Sequence, residues 1–288
     1  MSEQVCKADM GSDGAAVVDT YGYPVETTGN AVLDILEHRS STRAFARDDD
    51  DRPVAVTDEQ RAAILHAASR APSAGAMMMY SIVSIREQAT LDRLADLCDH
   101  QPMIAKAPWA LIFVVDYAKW IDLFEHVGCF EPEFVERTGK SPRRAPGLGD
   151  FAIAAQDAMI AAQNAVVAAL GLGSCYIGDV VENAEEVAAL LDLPPYTMPL
   201  SMLIIGTPRK ERPAIAHPVV NLVHEERYCR ADAATLDAQV AEMDAMFRPH
   251  AREVGERVVD IYTRKHTSPF MAEMSRSMEW WFKNWLGK

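Results

Sequence analysis

The chain has 288 residues, 49% apolar and 24% charged, proportions of a globular protein rather than a disordered, collagen-like or disulfide-scaffold one. That length accommodates one large domain or two small ones, with a substantial core. A formal net charge of −14 disfavours nucleic acid and anionic membrane as partners, since both repel an acidic surface.

Residues 1–28 are rich in Gly, Asp and Ala with little periodicity, and read as a flexible N-terminal arm, free or lying on a partner subunit. The first residues show no basic stretch followed by an apolar core, so no secretory signal is expected and the predicted compartment is the cytoplasm. Residues 29–288 read as a single domain with a C-terminal helical extension. A first helix spans Ala31 to His38 and carries Val32, Leu33, Ile35 and Leu36 toward a core. Asp48 to Asp51 is an acidic loop closed by Arg52 and Pro53. Thr57 and Gln60 have the spacing of a capping box, and the helix they start runs to about Arg70, burying Ile64, Leu65 and Ala68. A strand follows at Tyr80 to Ile85. Leu91, Leu94, Ala95 and Leu97 mark another amphipathic helix, and 109–115 is a near-continuous apolar strand suited to the centre of a sheet.

Residues 128–149 are punctuated by Pro and Gly and carry Arg137, Lys140, Arg143 and Arg144. Loops of this length are functional or mobile, and the stretch reads as a lid or as a solvated excursion. A helix over 151–170 is dense in alanine (Ala152, Ala154, Ala155, Ala158, Ala161, Ala162), which permits close helix–helix approach. Its Asp157 reads as a hydrogen-bonding partner or a surface residue, not a catalytic acid. A further strand covers 199–206, and an extended run 219–223. From Ala233 the pattern is helical to the end. Met243, Met246 and Phe247 share one face, and Phe270, Met274, Met278, Trp281 and Trp285 form an aromatic stripe expected in the core or at a subunit interface. The five cysteines (Cys6, Cys98, Cys129, Cys175, Cys229) are scattered and form no C-x-x-C pair, and the eight histidines show no H-E-x-x-H spacing. Neither a disulfide framework nor a metal site is expected.

Three segments carry chemistry. Arg39-Ser40-Ser41-Thr42-Arg43 follows the first helix, and two guanidinium groups flank three hydroxyls there. This is a donor set suited to a phosphate, or alternatively a solvated helix end. Pro72-Ser73-Ala74-Gly75-Ala76-Met77-Met78-Met79 is a small-residue turn between a helix and a strand. Gly171-Leu172-Gly173-Ser174-Cys175-Tyr176-Ile177-Gly178-Asp179 follows the alanine-rich helix. No G-x-G-x-x-G follows a strand, so a Rossmann nucleotide site fits poorly.

In this order the three segments resemble the FMN-dependent nitroreductase family, with its R-x-S-x-R-like phosphate motif, its "AP(S/T)AGN" turn and its "GLGSCYIG" segment. The resemblance runs from about Val32 to Tyr228. It implies an α+β, nitroreductase-like fold: a mixed, mainly antiparallel central sheet flanked by helices. It further implies a homodimer with each flavin at the subunit interface and the alanine-rich helix at the dimer core, although a tightly packed monomer helix would have the same composition. FMN would be the cofactor, NADPH or NADH the electron donor, and a nitro, quinone or other electron-poor small molecule the acceptor, in a ping-pong cycle. Arg39, Ser40, Ser41 and Arg43 would hold the phosphate, joined by one of Arg209, Lys210 and Arg212, of which Arg212 is assigned. Pro72, Ser73, Ala74, Gly75, Ala76 and Met78 would line the flavin. Cys175, Tyr176, Ile177 and Gly178 would approach the ring, with a backbone N–H of the Tyr176 to Asp179 turn donating to N5. Cys175 itself reads as a small buried apolar residue rather than a reactive thiol. No catalytic side chain is required, because the flavin carries the chemistry. Two departures stand out. Ala76 occupies the family's Asn position, removing a polar contact worth about 0.5–1.5 kcal/mol, and 213–217 lacks the usual "KPxRF" pattern. Related chemistries on the same fold (reductive dehalogenation, enone reduction, flavin breakdown), or flavin binding without turnover, stay open at this level.

Overall fold

The computed structural model describes residues 29–140, 143–169, 171–210, 219–246 and 253–287. The predicted arm at 1–28, Arg212 and Phe247 lie outside the described residues. The helices are α1 (Ala31–His38), α2 (Asp58–Ser69), α3 (Gln88–Leu97), α4 (Pro102–Ala105), α5 (Ala118–His126), α6 (Pro132–Thr138), α7 (Leu148–Ala168), α8 (Ala184–Leu190), α9 (Ala233–Met246), α10 (Glu256–Ile261) and α11 (Pro269–Trp285). The strands are β1 (Tyr80–Ile85), β2 (Trp109–Asp116), β3 (Gly173–Ile177) and β4 (Thr197–Gly206).

The four strands form one sheet in the order β1-β2-β4-β3. All three pairings are antiparallel, and among the described residues a parallel contact enters only through an isolated bridge, Ser41 to Ser174. The apolar run of β2 is explained by its place: every residue of it is buried. Trp109, Leu111 and Phe113 face one layer with Ile64, Ala68, Ala158, Ala161 and Ala165 of α2 and α7. Ala110, Ile112 and Val114 face the other with Leu91 and Leu94 of α3, Val187 of α8 and Trp281 of α11. A strand covered on both faces needs no polar alternation.

Local chemistry sets the element ends. The capping box at Thr57 is present: its hydroxyl accepts from Gln60 N, and the Gln60 side chain accepts from Thr57 N. Asn30 caps α1 through Val32 N and Leu33 N. Within 128–149 the chain is not all loop: Pro132 opens α6 and Gly139, at φ 62°, closes it, the helix-start and helix-stop positions these two residues favour.

Several expectations are corrected. The apolar residues of α1 do not reach a core: Val32, Leu33 and Leu36 are exposed. Residues 219–223 form a turn, with Asn221 at φ 63°, rather than an extended run. The C-terminal helical pattern is interrupted: a π-helical turn, Tyr262–His266, separates α10 from α11. Within α11, Trp281 and Trp285 are fully buried, so this part of the stripe belongs to the core. Helix α7 is long and apolar enough, by length and composition, to cross a bilayer, yet its alanines pack against the sheet and α2.

Candidate functional site

Residues 39–47 form a strap along the outer edge of β3. Ser41 bridges Ser174 in parallel, and Thr42 N donates to Ser174 O at 2.9 Å. The strap then turns to run beside the end of β4. Ala46 N donates to Thr207 O at 2.8 Å, Arg209 N donates to Ala44 O at 2.9 Å, and Phe45 bridges Pro208. Two glycines make this docking possible. A Cβ on Gly173 would lie 2.2 Å from Thr42 Oγ1, and one on Gly206 would lie 2.7 Å from Pro108 and 2.8 Å from Phe45.

The strap brings its cations to β3. Burial raises the Cys175 thiol above its ordinary value, partly offset by the field of Arg43, a hydrogen bond with Ser41 and the field of Arg39. Burial pushes the Tyr176 phenol up to about 12, with Arg39 opposing. Arg39, Ser41 and Arg43 thus act on Cys175, and Arg39 also on Tyr176. Cys175 is 3% exposed, the buried apolar residue expected of it. Arg39 Nε is buried and has no hydrogen-bond partner among the described residues. A buried charged donor left unpaired costs more than the about 1–3 kcal/mol of a neutral one, and an anionic oxygen is the acceptor that relieves it. No ion pair forms on Arg39, Arg43, Arg209 or Lys210 among the described residues. Of the basic residues weighed for this role, Arg209 and Lys210 are the described ones that adjoin the strap. The donor set fits a phosphate monoester.

The 72–79 turn has unusual backbone. Gly75, Ala76 and Met78 lie at φ 58°, 57° and 47°. The left-handed region costs about 1–2 kcal/mol for each non-glycine residue, so Ala76 and Met78 must be held from outside. The holders are visible. Asp157 of α7 accepts from Ala74 N at 3.0 Å and from Met79 N at 3.4 Å. Ser73 Oγ accepts from Met78 N at 3.0 Å. Trp120 Nε1 donates to Met77 O at 2.9 Å, and Lys119 Nζ to Tyr80 O at 2.5 Å. Sequence reasoning left Asp157 as a hydrogen-bonding partner or a surface residue; it is the former, and what it holds was not foreseen. An acid in the middle of the alanine-dense stretch was the available signal.

The third segment forms β3 and the 3-10 turn Gly178–Val181. Tyr176 donates from its hydroxyl to Gln163 Oε1 of α7 at 3.3 Å. Behind the turn stands an acidic junction. Glu182 is 3% exposed, and burial, then Asp179, Asp99 and Glu273, push its carboxyl up to about 7. Gln101 donates to Asp179, Asn183 N to Glu273 at 3.2 Å, and Trp281 Nε1 to Val181 O at 2.9 Å. This junction was not foreseen.

Within one chain the three segments fall into two groups. The strap and β3 lie at one edge of the sheet, and the 72–79 turn enters β1 at the other. Three strand spacings separate these edges, about 14 Å. The start of β1 and the finish of β3 share one end of the sheet, and α7 connects the groups through Asp157 and Gln163.

The sheet thus carries a cationic strap on one edge that could hold a phosphate and a left-handed small-residue turn on the other. Residues 36–207 match the model of the nitroreductase family, and the chain belongs to that family. It is 32% identical over 215 residues to an FMN reductase [NAD(P)H] of Bacillus subtilis, covering 73% of this chain and 79% of the relative. It is 32% identical over 216 residues to an oxygen-insensitive NADPH nitroreductase of Salmonella typhimurium, covering 73% and 81%. Among solved structures it resembles the NADPH:FMN oxidoreductase of Vibrio harveyi complexed with NAD+, with TM-score 0.66 and 25% identity over 86% of this chain and 97% of that one.

Proposed function

We propose that this protein is an FMN-dependent NAD(P)H oxidoreductase that reduces nitro compounds, quinones or other electron-poor small molecules. When bound, FMN supplies the hydride chemistry, linking oxidation of the nicotinamide to reduction of the acceptor in two half-reactions. The chain's own groups do the binding and orienting. Arg39, Ser40, Ser41 and Arg43 hold the phosphate, with Arg209 or Lys210 as the further cation beside them, and Arg212 retained as a candidate. Cys175, Tyr176, Ile177 and Gly178 bring β3 and its turn against the ring, where the absence of a Gly178 side chain permits close backbone approach. Pro72, Ser73, Ala74, Gly75, Ala76 and Met78 form the opposing surface. No side chain here needs to act as nucleophile or base.

The working unit we propose is a homodimer of 29–288 domains. The placement of the two residue groups at opposite edges supports a site completed by the turn of a second copy. So do the exposed apolar residues Val32, Leu33 and Leu36 on α1 and Ile153, Met159 and Ile160 on α7. The free thiols Cys98, Cys129, Cys175 and Cys229 suit a reducing compartment such as the cytoplasm.

The buried, unpartnered Arg39 Nε beside β3 carries the reading. Replacing Arg39 and Arg43 together with Ala removes two charge-assisted contacts worth about 1.5–3 kcal/mol each. FMN affinity, read by flavin fluorescence quenching, should fall by roughly 100-fold or more. A double variant that stays yellow with unchanged affinity rules the reading out.

A further inference from the structure

Asp157 has no part in phosphate binding and lies on a helix remote in sequence from the turn it touches. Its two oxygens take the N–H groups of Ala74 and Met79, which bracket the turn at its two ends. The carboxylate therefore closes the neck of a loop whose interior residues are Gly75, Ala76, Met77 and Met78. Inside that loop Ala76 N donates to Ser73 O at 3.2 Å and Met77 N to Ala74 O at 3.0 Å, and Met78 N donates to the Ser73 hydroxyl. The N–H groups of Ala74, Ala76, Met77, Met78 and Met79 are thus all committed. That of Gly75 has no acceptor among the described residues. Three of the four interior residues are left-handed, a conformation that relaxes once the neck opens. Asp157 is 3% exposed, so water does not substitute for it at the neck. Lys119, whose ammonium holds Tyr80 O, is pushed below its ordinary pKa by burial, with the fields of Asp116 and Asp157 opposing.

We infer that Asp157 is the positioning residue of the flavin-facing turn: its carboxylate locks the neck so that the free Gly75 N–H and the left-handed Ala76 and Met78 are presented as a fixed surface. The inference rests on the proposed reading that the 72–78 turn faces the flavin. It also gives the Ala76 departure a physical setting, because a turn without an amide side chain relies on backbone placement alone.

The test uses the full chain with and without FMN. Asp157→Asn is isosteric and leaves one acceptor, but sets an amide NH2 against one of the two N–H groups. Hydrogen exchange at 74–79 in the cofactor-free protein should accelerate at least 10-fold. In the loaded protein FMN should bind about 10-fold more weakly, and the flavin midpoint potential should move, a readout that loss of fold stability alone leaves in place. Asp157→Ser, which admits water to the neck, replaces the amide variant should that one not purify folded. Unchanged exchange and unchanged potential in a folded variant overturn the inference. Ser73→Ala separates the underlying reading. If Ser73→Ala and Asp157→Asn both loosen the turn while neither alters FMN affinity or potential, the turn does not face the flavin, and the inference falls with that reading. If Ser73→Ala alters the flavin and Asp157→Asn does not, the reading stands and the role of Asp157 is refuted.

Discussion

Replacing Gly173 with Ala probes how the strap is seated. The added Cβ would sit 2.2 Å from Thr42 Oγ1, 2.5 Å from Thr42 Cβ and 2.6 Å from Thr42 Cγ2. These atoms are the root of a side chain only 9% exposed, not the end of a flexible one, so the strap backbone must move. Overpacking of this kind costs about 1–3 kcal/mol. Lifting Thr42 also strains its bond to Ser174 O, worth about 0.5–1.5 kcal/mol net. The expected destabilisation is about 2–4 kcal/mol. At about 2–4 °C per kcal/mol for chains of 150–250 residues, the melting temperature should fall by roughly 5–15 °C. Arg39, Ser41 and Arg43 ride on the strap, so FMN affinity should drop about 10-fold or more. Thermal melts and FMN titrations measure both. Gly149→Ala serves as control, because a Cβ there meets nothing within 4 Å and a helical Gly→Ala change is neutral to favourable. A Gly173→Ala protein that melts and binds FMN like the parent would refute the docking argument.

Two further outcomes concern stability. The Glu182 carboxyl is raised from 4.5 to about 7 in the folded chain, first by burial and then by Asp179, Asp99 and Glu273, so the folded state keeps a proton that the unfolded chain has released. Its contribution is therefore fully present below pH 4.5 and lost as pH rises through 7, at most about 3 kcal/mol. In denaturant titrations Glu182→Gln should flatten the decline between pH 5 and 8, and an unaltered pH profile would contradict this. Trp281 is 0% exposed and its indole donates to Val181 O. Trp281→Ala should cost about 3–5 kcal/mol, measured by the same titrations, and a loss below 1 kcal/mol would show that α11 does not brace the turn after β3.

Much of the scaffold was legible because its signals are local. The continuous apolar run of β2, the spacing of Leu91, Leu94 and Leu97, and the Thr57 capping box each encode their element without help from distant chain. The three motif segments were legible for the same reason. What escaped depends on contacts far along the chain. The apolar residues of α1 were expected to face a core, but periodicity does not say what covers a helix face, and Val32, Leu33 and Leu36 stay exposed among the described residues. Val219, Val220, Leu222 and Val223 suggested extension, yet Asn221 adopts a left-handed turn and Glu242 takes the N–H groups of Val219 and Val220. Helix α6 was hidden by Pro132 and Gly139, which punctuated it rather than forbidding it. Arg212 lies outside the described residues, whereas Arg209 is set beside the strap through Ala44. The hold of Asp157 on Ala74 spans 83 residues, a separation that no motif spacing reveals.

Helix α7 carries Asp157 and Gln163 six residues apart, which fixes about 9 Å between their attachment points. One grips the 72–79 turn and the other Tyr176, so this length of stiff backbone is a gauge block set between two otherwise unrelated loops. Lengthening or reshaping the chain elsewhere leaves that calibration alone. A single residue inserted between positions 157 and 163 would twist one fitting by about 100° relative to the other and ruin both alignments at once.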